Sequence, residues 1–98
     1  MAHPTLSPFE TVVQCGGYIV SDMDGEKVML GLEQGKYYNL GELGGEIWDL
    51  MAEPTTASRI AERLLERYEV ERDVCEAQVL SFLGDLLREN LIRVARSA

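Results

Sequence analysis

The spacing of apolar residues changes once along this chain, near residue 40, and that change limits what the chain can fold into. Before it, apolar and other residues alternate, as Val28, Leu30 and Leu32 show. After it, apolar residues recur every three or four positions, beginning with Leu43 and Ile47. A period of two is typical of strands and a period of 3.6 of helices. Strands followed by helices favour an α+β fold over a parallel α/β fold.

The first half of the chain predicts three antiparallel strands joined by tight turns. Residues 18–20 are aromatic and β-branched, and Asp24 and Gly25 suit the two positive-φ positions of a short hairpin turn. The second strand is expected at residues 27–32. A glycine-containing turn at residues 33–35 then leads into the third strand at residues 36–40.

The second half predicts three amphipathic helices. The first ends before Pro54, and Thr55 or Thr56 can cap the second. The third is expected at about residues 72–89, with Asn90 as its C-terminal cap. The second helix has one clear apolar face: Ile60, Ala61, Leu64, Leu65 and Tyr68. Residues 91–94 form either a short strand or a packed tail.

These elements predict a winged-helix-like α+β domain, with an N-terminal three-stranded antiparallel sheet followed by a three-helix cluster. The chain of 98 residues is long enough for one core only. We expect residues 1–10, with two prolines, to be a flexible lead-in and residues 11–95 to be the domain.

Charge and composition exclude several classes of partner. The net charge is −8, so the phosphate backbone of a nucleic acid would repel the chain. No apolar run is long enough to span a membrane, and no secretory signal is visible, so a cytoplasmic protein is expected. Residues 1–54 contain nine acidic side chains and only two basic ones, Lys27 and Lys36. This acidic half either attracts a basic partner or keeps the chain soluble.

The sequence lacks the side chains of a reactive centre. His3 is the only histidine and lies in the lead-in, far from Cys15 and Cys75. A Cys-His nucleophile is therefore not expected, and the cysteines do not have the spacing of a zinc site. We predict a chain that is not an enzyme, binds no cofactor or metal, and keeps both thiols free in a reducing compartment.

What remains is a small sheet whose edges carry unpaired N–H and C=O groups. A partner peptide can pair with such an edge, and a neighbouring groove can read its side chains. At this point an ordered set of residues resembles the PQQ-biosynthesis D-type peptide chaperones. The residues that carry the resemblance are Glu33, Gln34, Gly35, Lys36, Tyr37, Tyr38, Asn39, Leu40, Gly44, Ile47 and Trp48, continuing through Leu64, Tyr68, Val70, Val79, Phe82, Leu83, Leu86, Leu91 and Ile92. The resemblance covers about residues 12–94.

One position departs from the family pattern. Gly41 stands where the family usually has asparagine after the leucine. Asparagine there would cap the first helix, and glycine is a weaker but tolerated cap. The departure leaves the predicted fold unchanged.

The resemblance implies that the chain binds the leader segment of a ribosomally made precursor peptide and presents it to a maturation enzyme. Among stand-alone members, the chain is most similar to the small proteins of lasso-peptide biosynthesis, which work with a separate cysteine leader peptidase. The resemblance also implies that the leader adds as a strand beside the third strand and lies against the third helix.

Applied to this sequence, strand addition beside the third strand gives the predicted peptide-binding residues. They are Lys36, Tyr37, Tyr38, Asn39, Leu40, Cys75, Glu76, Val79 and Leu80. By alternation, Tyr38 and Leu40 point into the core, while Tyr37 and Asn39 point away from it.

On the third helix, three apolar residues are interpreted as core and three neighbours as the wall of the groove. The core residues are Val79, Phe82 and Leu86, and the bordering residues are Cys75, Glu76 and Leu80. If residues 36–40 are not the docking edge, residues 12–15 are the next candidate.

Three other functions compete with this one. The chain is alternatively a peptide chaperone of the PQQ pathway that works with a radical enzyme. A winged-helix DNA-binding regulator is disfavoured because residues 72–89 carry four acids against two arginines. A small enzyme is disfavoured by the missing catalytic groups.

Overall fold

The computed structural model describes residues 6–32 and 35–95. Within them, the strands and helices follow one another as β1 (Thr11–Gln14), β2 (Tyr18–Met23), β3 (Glu26–Gly31), β4 (Tyr37–Leu40), α1 (Gly41–Leu50), β5 (Thr55–Thr56), α2 (Ala57–Leu65), α3 (Arg72–Arg88) and β6 (Ile92–Val94). The α+β class and the change from strands to helices at residue 40 are confirmed.

Strands β2, β3 and β4 form an antiparallel meander, which we call the hairpin sheet. Asp24 and Gly25 connect β2 to β3 with φ angles of 55° and 82°, the two positive values of a type I′ turn. The predicted hairpin is therefore confirmed. The predicted turn at residues 33–35 lies partly outside the described residues, because Glu33 and Gln34 are not among them.

A second antiparallel sheet has the order β5-β1-β6, and we call it the closing sheet because it joins the two ends of the chain. The expectation of a single sheet was wrong. The strands of the closing sheet are four, two and three residues long and far apart in sequence. Of the two alternatives for residues 91–94, the short strand is the one that forms, but its pairing with β1 was not predicted. The sequence predicted only a helix cap at Thr55 or Thr56, but both residues also pair with β1.

Both edges of β1 are occupied in the closing sheet. Thr11 and Val12 pair with β5, while residues 12–14 pair with β6. The N–H of Cys15 also donates to the carbonyl of Leu91 at 2.9 Å. The alternative docking edge at residues 12–15 is therefore wrong, since no main-chain edge is left there for a peptide.

The first helix ends before Pro54 as predicted and the caps predicted at Thr56 and Asn90 are confirmed, whereas the predicted extent of the second helix is wrong. The Thr56 hydroxyl accepts from the N–H of Arg59 at 3.2 Å and caps α2. Asn90 follows α3 with φ 62°, and the N–H of Leu91 donates to the carbonyl of Leu86 at 2.9 Å. Tyr68, in contrast, lies beyond α2, which already ends at Leu65.

The core lies between the two sheets and the three helices. Its fully buried side chains include Val12, Met29, Met51, Ile60, Val79, Leu83 and Leu91. In the predicted lead-in, Leu6 packs against this core and the carbonyl of Pro8 accepts from the N–H of Ser58 at 3.0 Å. The boundary between residues 1–10 and 11–95 stays a prediction.

Candidate functional site

Strand β4 lies at the edge of the hairpin sheet and pairs only with β3 among the described strands. The N–H of Gly31 donates to the carbonyl of Lys36 at 2.8 Å, and Leu30 lies opposite Tyr37. Hydrogen-bonded and non-hydrogen-bonded pairs alternate in an antiparallel ladder. The main-chain groups of Tyr38 therefore face β3, while those of Tyr37 and Asn39 face the open edge.

A tight junction holds the end of β4 against the start of α1. The Asn39 side chain accepts from the N–H of Gly41 at 2.9 Å and donates to the Glu26 carboxylate at 3.0 Å. Gly41 has φ 74°, a conformation that glycine adopts without strain. Gly41 is the first residue of α1 and Leu40 its N-cap, so the predicted capping role of Gly41 was misplaced by one residue. Gly41 instead permits the bend of the backbone between β4 and α1.

An apolar cavity of about 280 Å³ lies between the end of β4, α1 and α3. A Cβ atom on Gly44 would come within 3.0 Å of the Phe82 ring and 3.3 Å of Leu40, so this glycine allows α1 to approach both. The mouth of the cavity is rimmed by partly exposed apolar side chains. They are Leu43, Tyr68 and Val70.

The structure brings part of the predicted set together. Leu40, Cys75 and Val79 line the cavity. On β4, Tyr38 and Leu40 pack against the core, whereas Tyr37 and Asn39 are exposed, so their predicted directions are confirmed. Lys36 lies just before the strand and pairs with Glu89.

Two predicted groove residues do not line the cavity. Glu76 and Leu80 are half-buried and absent from its lining. At 100° per residue they lie on the flank of α3 opposite to Gln78 and Phe82, which do line it. Cys75 and Val79 therefore border the cavity and Glu76 and Leu80 do not, while contact of any of the four with a leader stays a prediction.

Phe82 was interpreted as core and is instead half-buried in the cavity wall, while Leu83 is fully buried. Sequence reasoning also missed Leu43, Tyr68 and Val70. A signal was available for Val70: it is apolar but lies among Glu69, Glu71 and other charged residues, outside any helical stripe.

A polar cluster ties the start of β4 to the end of α3. The Tyr38 hydroxyl donates to the Glu89 carboxylate at 3.0 Å, and the Lys36 ammonium lies 3.5 Å from the same oxygen. The hydrogen bond from Tyr38 lowers the pKa of Glu89, and the charge of Lys36 adds to this effect. The pKa of Tyr38 is raised, first by desolvation and then by Glu89.

The cavity itself offers little polar chemistry. Burial raises the pKa of the Cys75 thiol, whose Sγ lies 3.9 Å from the carbonyl oxygen of Ala61. Cys15 and Cys75 are both free. No cluster of His, Cys, Asp or Glu suited to a metal ion occurs within residues 6–32 and 35–95. The cavity is therefore suited to holding apolar side chains.

No helix in the same ranges is long and apolar enough to cross a membrane.

A match to a family profile identifies the family of this chain. The profile described as coenzyme PQQ synthesis protein D (PqqD) matches residues 26–92, which include the open β4 edge and every residue that lines the cavity. The chain belongs to the PqqD family. Comparison with curated proteins found no match.

Solved structures agree with the PqqD fold. TbiB1 in complex with the TbiA(beta) leader peptide is 26% identical, with a TM-score of 0.77, covering 87% of this chain and 99% of TbiB1. A lasso peptide synthetase B1 complexed with its leader peptide is 21% identical, with a TM-score of 0.75 and coverage of 84% and 96%.

A PqqD truncation of Methylobacterium extorquens PqqCD, described as a stand-alone recognition element for ribosomally synthesised, post-translationally modified peptides, is 20% identical. Its TM-score is 0.77, and the match covers 94% of this chain and 99% of that one. The PqqD family includes recognition elements of this kind, and the winged-helix-like fold predicted from the sequence is confirmed.

Proposed function

We propose that this chain binds the leader segment of a ribosomally made precursor peptide in lasso-peptide biosynthesis. The leader adds as a strand to the open edge of β4, and apolar leader side chains enter the cavity between β4, α1 and α3. The chain then presents the precursor to a separate cysteine leader peptidase or another maturation enzyme.

The observation that carries this proposal is the position of the open β4 edge beside an apolar cavity. Strand addition draws affinity from main-chain hydrogen bonds and specificity from pockets for side chains, and this chain offers both. Tyr37 and Asn39 supply the outward main-chain groups, while Leu40, Cys75 and Val79 contribute to the cavity. The leader complex reported for TbiB1 supports this assignment.

The same geometry supports a binding role without catalysis. The buried Cys75 thiol has a raised pKa, which disfavours the nucleophilic thiolate. We infer that the chain alone leaves a precursor unchanged, needs no cofactor and works in the cytoplasm, where free thiols persist. Binding of nucleic acid is disfavoured by the net charge of −8.

A second candidate is a chaperone of the PQQ pathway that works with a radical enzyme. The family profile and the TM-score of 0.77 to the PqqD truncation favour it. The binding edge and cavity serve the same purpose in both functions, which differ in the precursor and in the partner enzyme.

Titration with leader peptides tests the proposal and separates the two candidates. The strand and cavity form a site smaller than a standard interface, so we expect a dissociation constant of roughly 0.1–10 μM for the cognate leader. The precursor encoded with this chain should compete, and a PQQ precursor should not. Absence of heat and of competition at far higher concentrations would refute leader binding, and preference for the PQQ precursor would select the second candidate.

A further inference from the structure

The mouth of the apolar cavity combines exposed apolar side chains with acidic ones. Leu43, Tyr68 and Val70 surround the mouth and are 45%, 39% and 49% exposed. Each has an acid beside it in the sequence: Glu42 precedes Leu43, and Glu69 separates Tyr68 from Val70. Both glutamates are exposed. We call these five residues the rim.

The two sides of the rim lie within electrostatic reach of each other. The Tyr68 hydroxyl donates to the Glu46 carboxylate at 3.2 Å, which ties the loop after α2 to α1. Desolvation is the largest cause of the raised pKa of Tyr68, the charge of Glu46 follows, and the charge of Glu42 adds to them. The negative charge of α1 therefore acts across the mouth of the cavity.

The arginines nearest to the rim do not neutralise it. Arg67 and Arg72 flank residues 68–71, and their guanidinium nitrogens lie 3.3 Å and 3.8 Å from carboxylates outside the rim. Among residues 6–32 and 35–95, neither Glu42 nor Glu69 forms an ion pair. The rim therefore keeps an excess of negative charge.

The opposite end of the proposed leader site has no such excess. There the Lys36 ammonium lies 3.5 Å from Glu89, and Arg88 pairs with Asp85. The charges at that end balance, so a charged leader side chain is favoured only at the cavity end.

A mixed apolar and acidic surface fits one kind of side chain. Lysine and arginine carry an apolar stem below a cationic head, so the stem can pack on Leu43 and Val70 while the head reaches an acid. The face of the Tyr68 ring also attracts a cation. An acidic leader side chain would be repelled, and a second copy of the chain would bring its own rim acids and a net charge of −8.

We propose that the leader carries a lysine or arginine close in sequence to the apolar side chain that fills the cavity, and that this cation binds Glu42 and Glu69 at the rim. This inference rests on the proposed function and adds the chemistry by which the site selects among leaders. The apolar side chain places the leader on the cavity, and the cation distinguishes leaders that share such a side chain.

The test measures leader affinity by calorimetry, with the full chain and a synthetic peptide of the leader encoded with it. The neutral variant combines Glu42→Gln with Glu69→Gln and keeps the shape of both side chains. We expect it to bind the leader about fivefold more weakly at low salt, because each exposed ion pair contributes modestly. The reversed variant, Glu42→Lys with Glu69→Lys, should lose at least about 20-fold, since like charges then meet.

Salt gives a second readout on the same variants. At about 0.5 M salt, exposed charges are screened within a few ångströms. We therefore expect the neutral variant and wild type to differ there by less than about twofold.

The control variant combines Asp24→Asn with Glu53→Gln and removes the same two charges elsewhere. Neither residue lines the cavity, and asparagine tolerates the positive φ of position 24. Its leader affinity should stay within about twofold of wild type, because screening limits the reach of distant exposed charges. Thermal melts check that every variant is folded.

Replacing each lysine and arginine of the leader by glutamine in turn completes a double-mutant cycle. At least one such peptide should bind wild type several-fold more weakly than the unmodified leader does. The same peptide should bind the neutral variant as well as the unmodified leader does, because the contact is already absent.

The outcomes separate this inference from the proposed function. Leader binding that the neutral and reversed variants leave unchanged or strengthen overturns the inference alone. The same holds if no leader lysine or arginine couples to the rim, or if the control variant loses as much affinity as the neutral one. A wild-type chain that binds no leader contradicts the proposed function, and this inference with it.

Discussion

The two sheets of this molecule are built from similar short strands and yet have opposite roles. The closing sheet joins segments from both ends of the chain, and its central strand has partners on both edges. The hairpin sheet is local, leaves the outer edge of β4 free among the described strands, and exposes Ile19, Leu30 and Tyr37. Local hairpins can present a face and an edge to partners because the distant pairings of the closing sheet, with the helices, hold the core together.

Two isoleucines provide the sharpest test of this division. Ile92 in the closing sheet is 2% exposed, whereas Ile19 in the hairpin sheet is half exposed. We expect Ile92→Ala to lower the free energy of unfolding by about 3 kcal/mol, through lost burial and a residual cavity. Ile19→Ala should change it by less than about 0.5 kcal/mol, as surface substitutions do. Urea unfolding measures both, and equal losses would contradict the division of roles.

The next effect concerns the edge of β4. Proline at position 39 removes the N–H that faces outward, and a strand cannot pair there without it. We expect Asn39→Pro to weaken leader binding at least about 30-fold, corresponding to an unmade main-chain hydrogen bond of about 2 kcal/mol.

Asn39→Ala is the control for this change, because the Asn39 side chain also binds Gly41 and Glu26. The alanine variant loses those two contacts but keeps the main-chain N–H. If calorimetry shows the same leader affinity for Asn39→Pro as for Asn39→Ala, the leader does not pair with this edge.

Neighbouring tyrosines on β4 should give opposite signatures. Tyr37→Ala removes an exposed ring and should weaken leader binding by about 1 kcal/mol with an unchanged melting temperature. Tyr38→Ala removes a half-buried ring that packs on the core, and should lower stability by about 2 kcal/mol, less than for a fully buried aromatic. Thermal melts and leader titrations of both variants distinguish the roles, and a Tyr37→Ala variant that melts early but binds normally would reverse them.

The smallest effect is the pH dependence of the contact between β4 and α3. The hydrogen bond from Tyr38 and the charge of Lys36 lower the pKa of Glu89 in the folded chain. A lowered pKa means that Glu89 stabilises the fold above its unfolded pKa, and that this contribution disappears as the pH falls through the lowered value. The melting temperature of wild type should exceed that of Glu89→Gln at pH 7, and the difference should vanish in acid. A difference that persists in acid would contradict this assignment.

Sequence reasoning located the hairpin sheet because each of its signals is local: alternation, the Asp24-Gly25 turn, and the change of period at residue 40. It missed the closing sheet, because pairings such as Val12 with Val94 leave no pattern in either segment. Within the site, the β4 residues were assigned to their correct sides by alternation alone.

The helical period of α3 does not show which of its flanks borders the cavity. That depends on how the helices pack against one another, as in the close approach of Gly44 to the Phe82 ring, and periodicity does not record it. The sequence therefore placed Glu76 and Leu80 in the groove wall and Phe82 in the core, whereas Phe82 lines the cavity and the other two do not.

The central claim is that a leader strand pairs with the open edge of β4, and amide hydrogen exchange with and without leader tests it most directly. In the free chain, the Tyr38 amide should already be slow because it faces β3, while the Tyr37 and Asn39 amides exchange quickly. Saturating leader should slow the exchange of one or both of these outward amides and leave Tyr38 little changed. Leader binding that leaves the exchange of both outward amides unchanged, and protects residues elsewhere in the chain, would contradict the account.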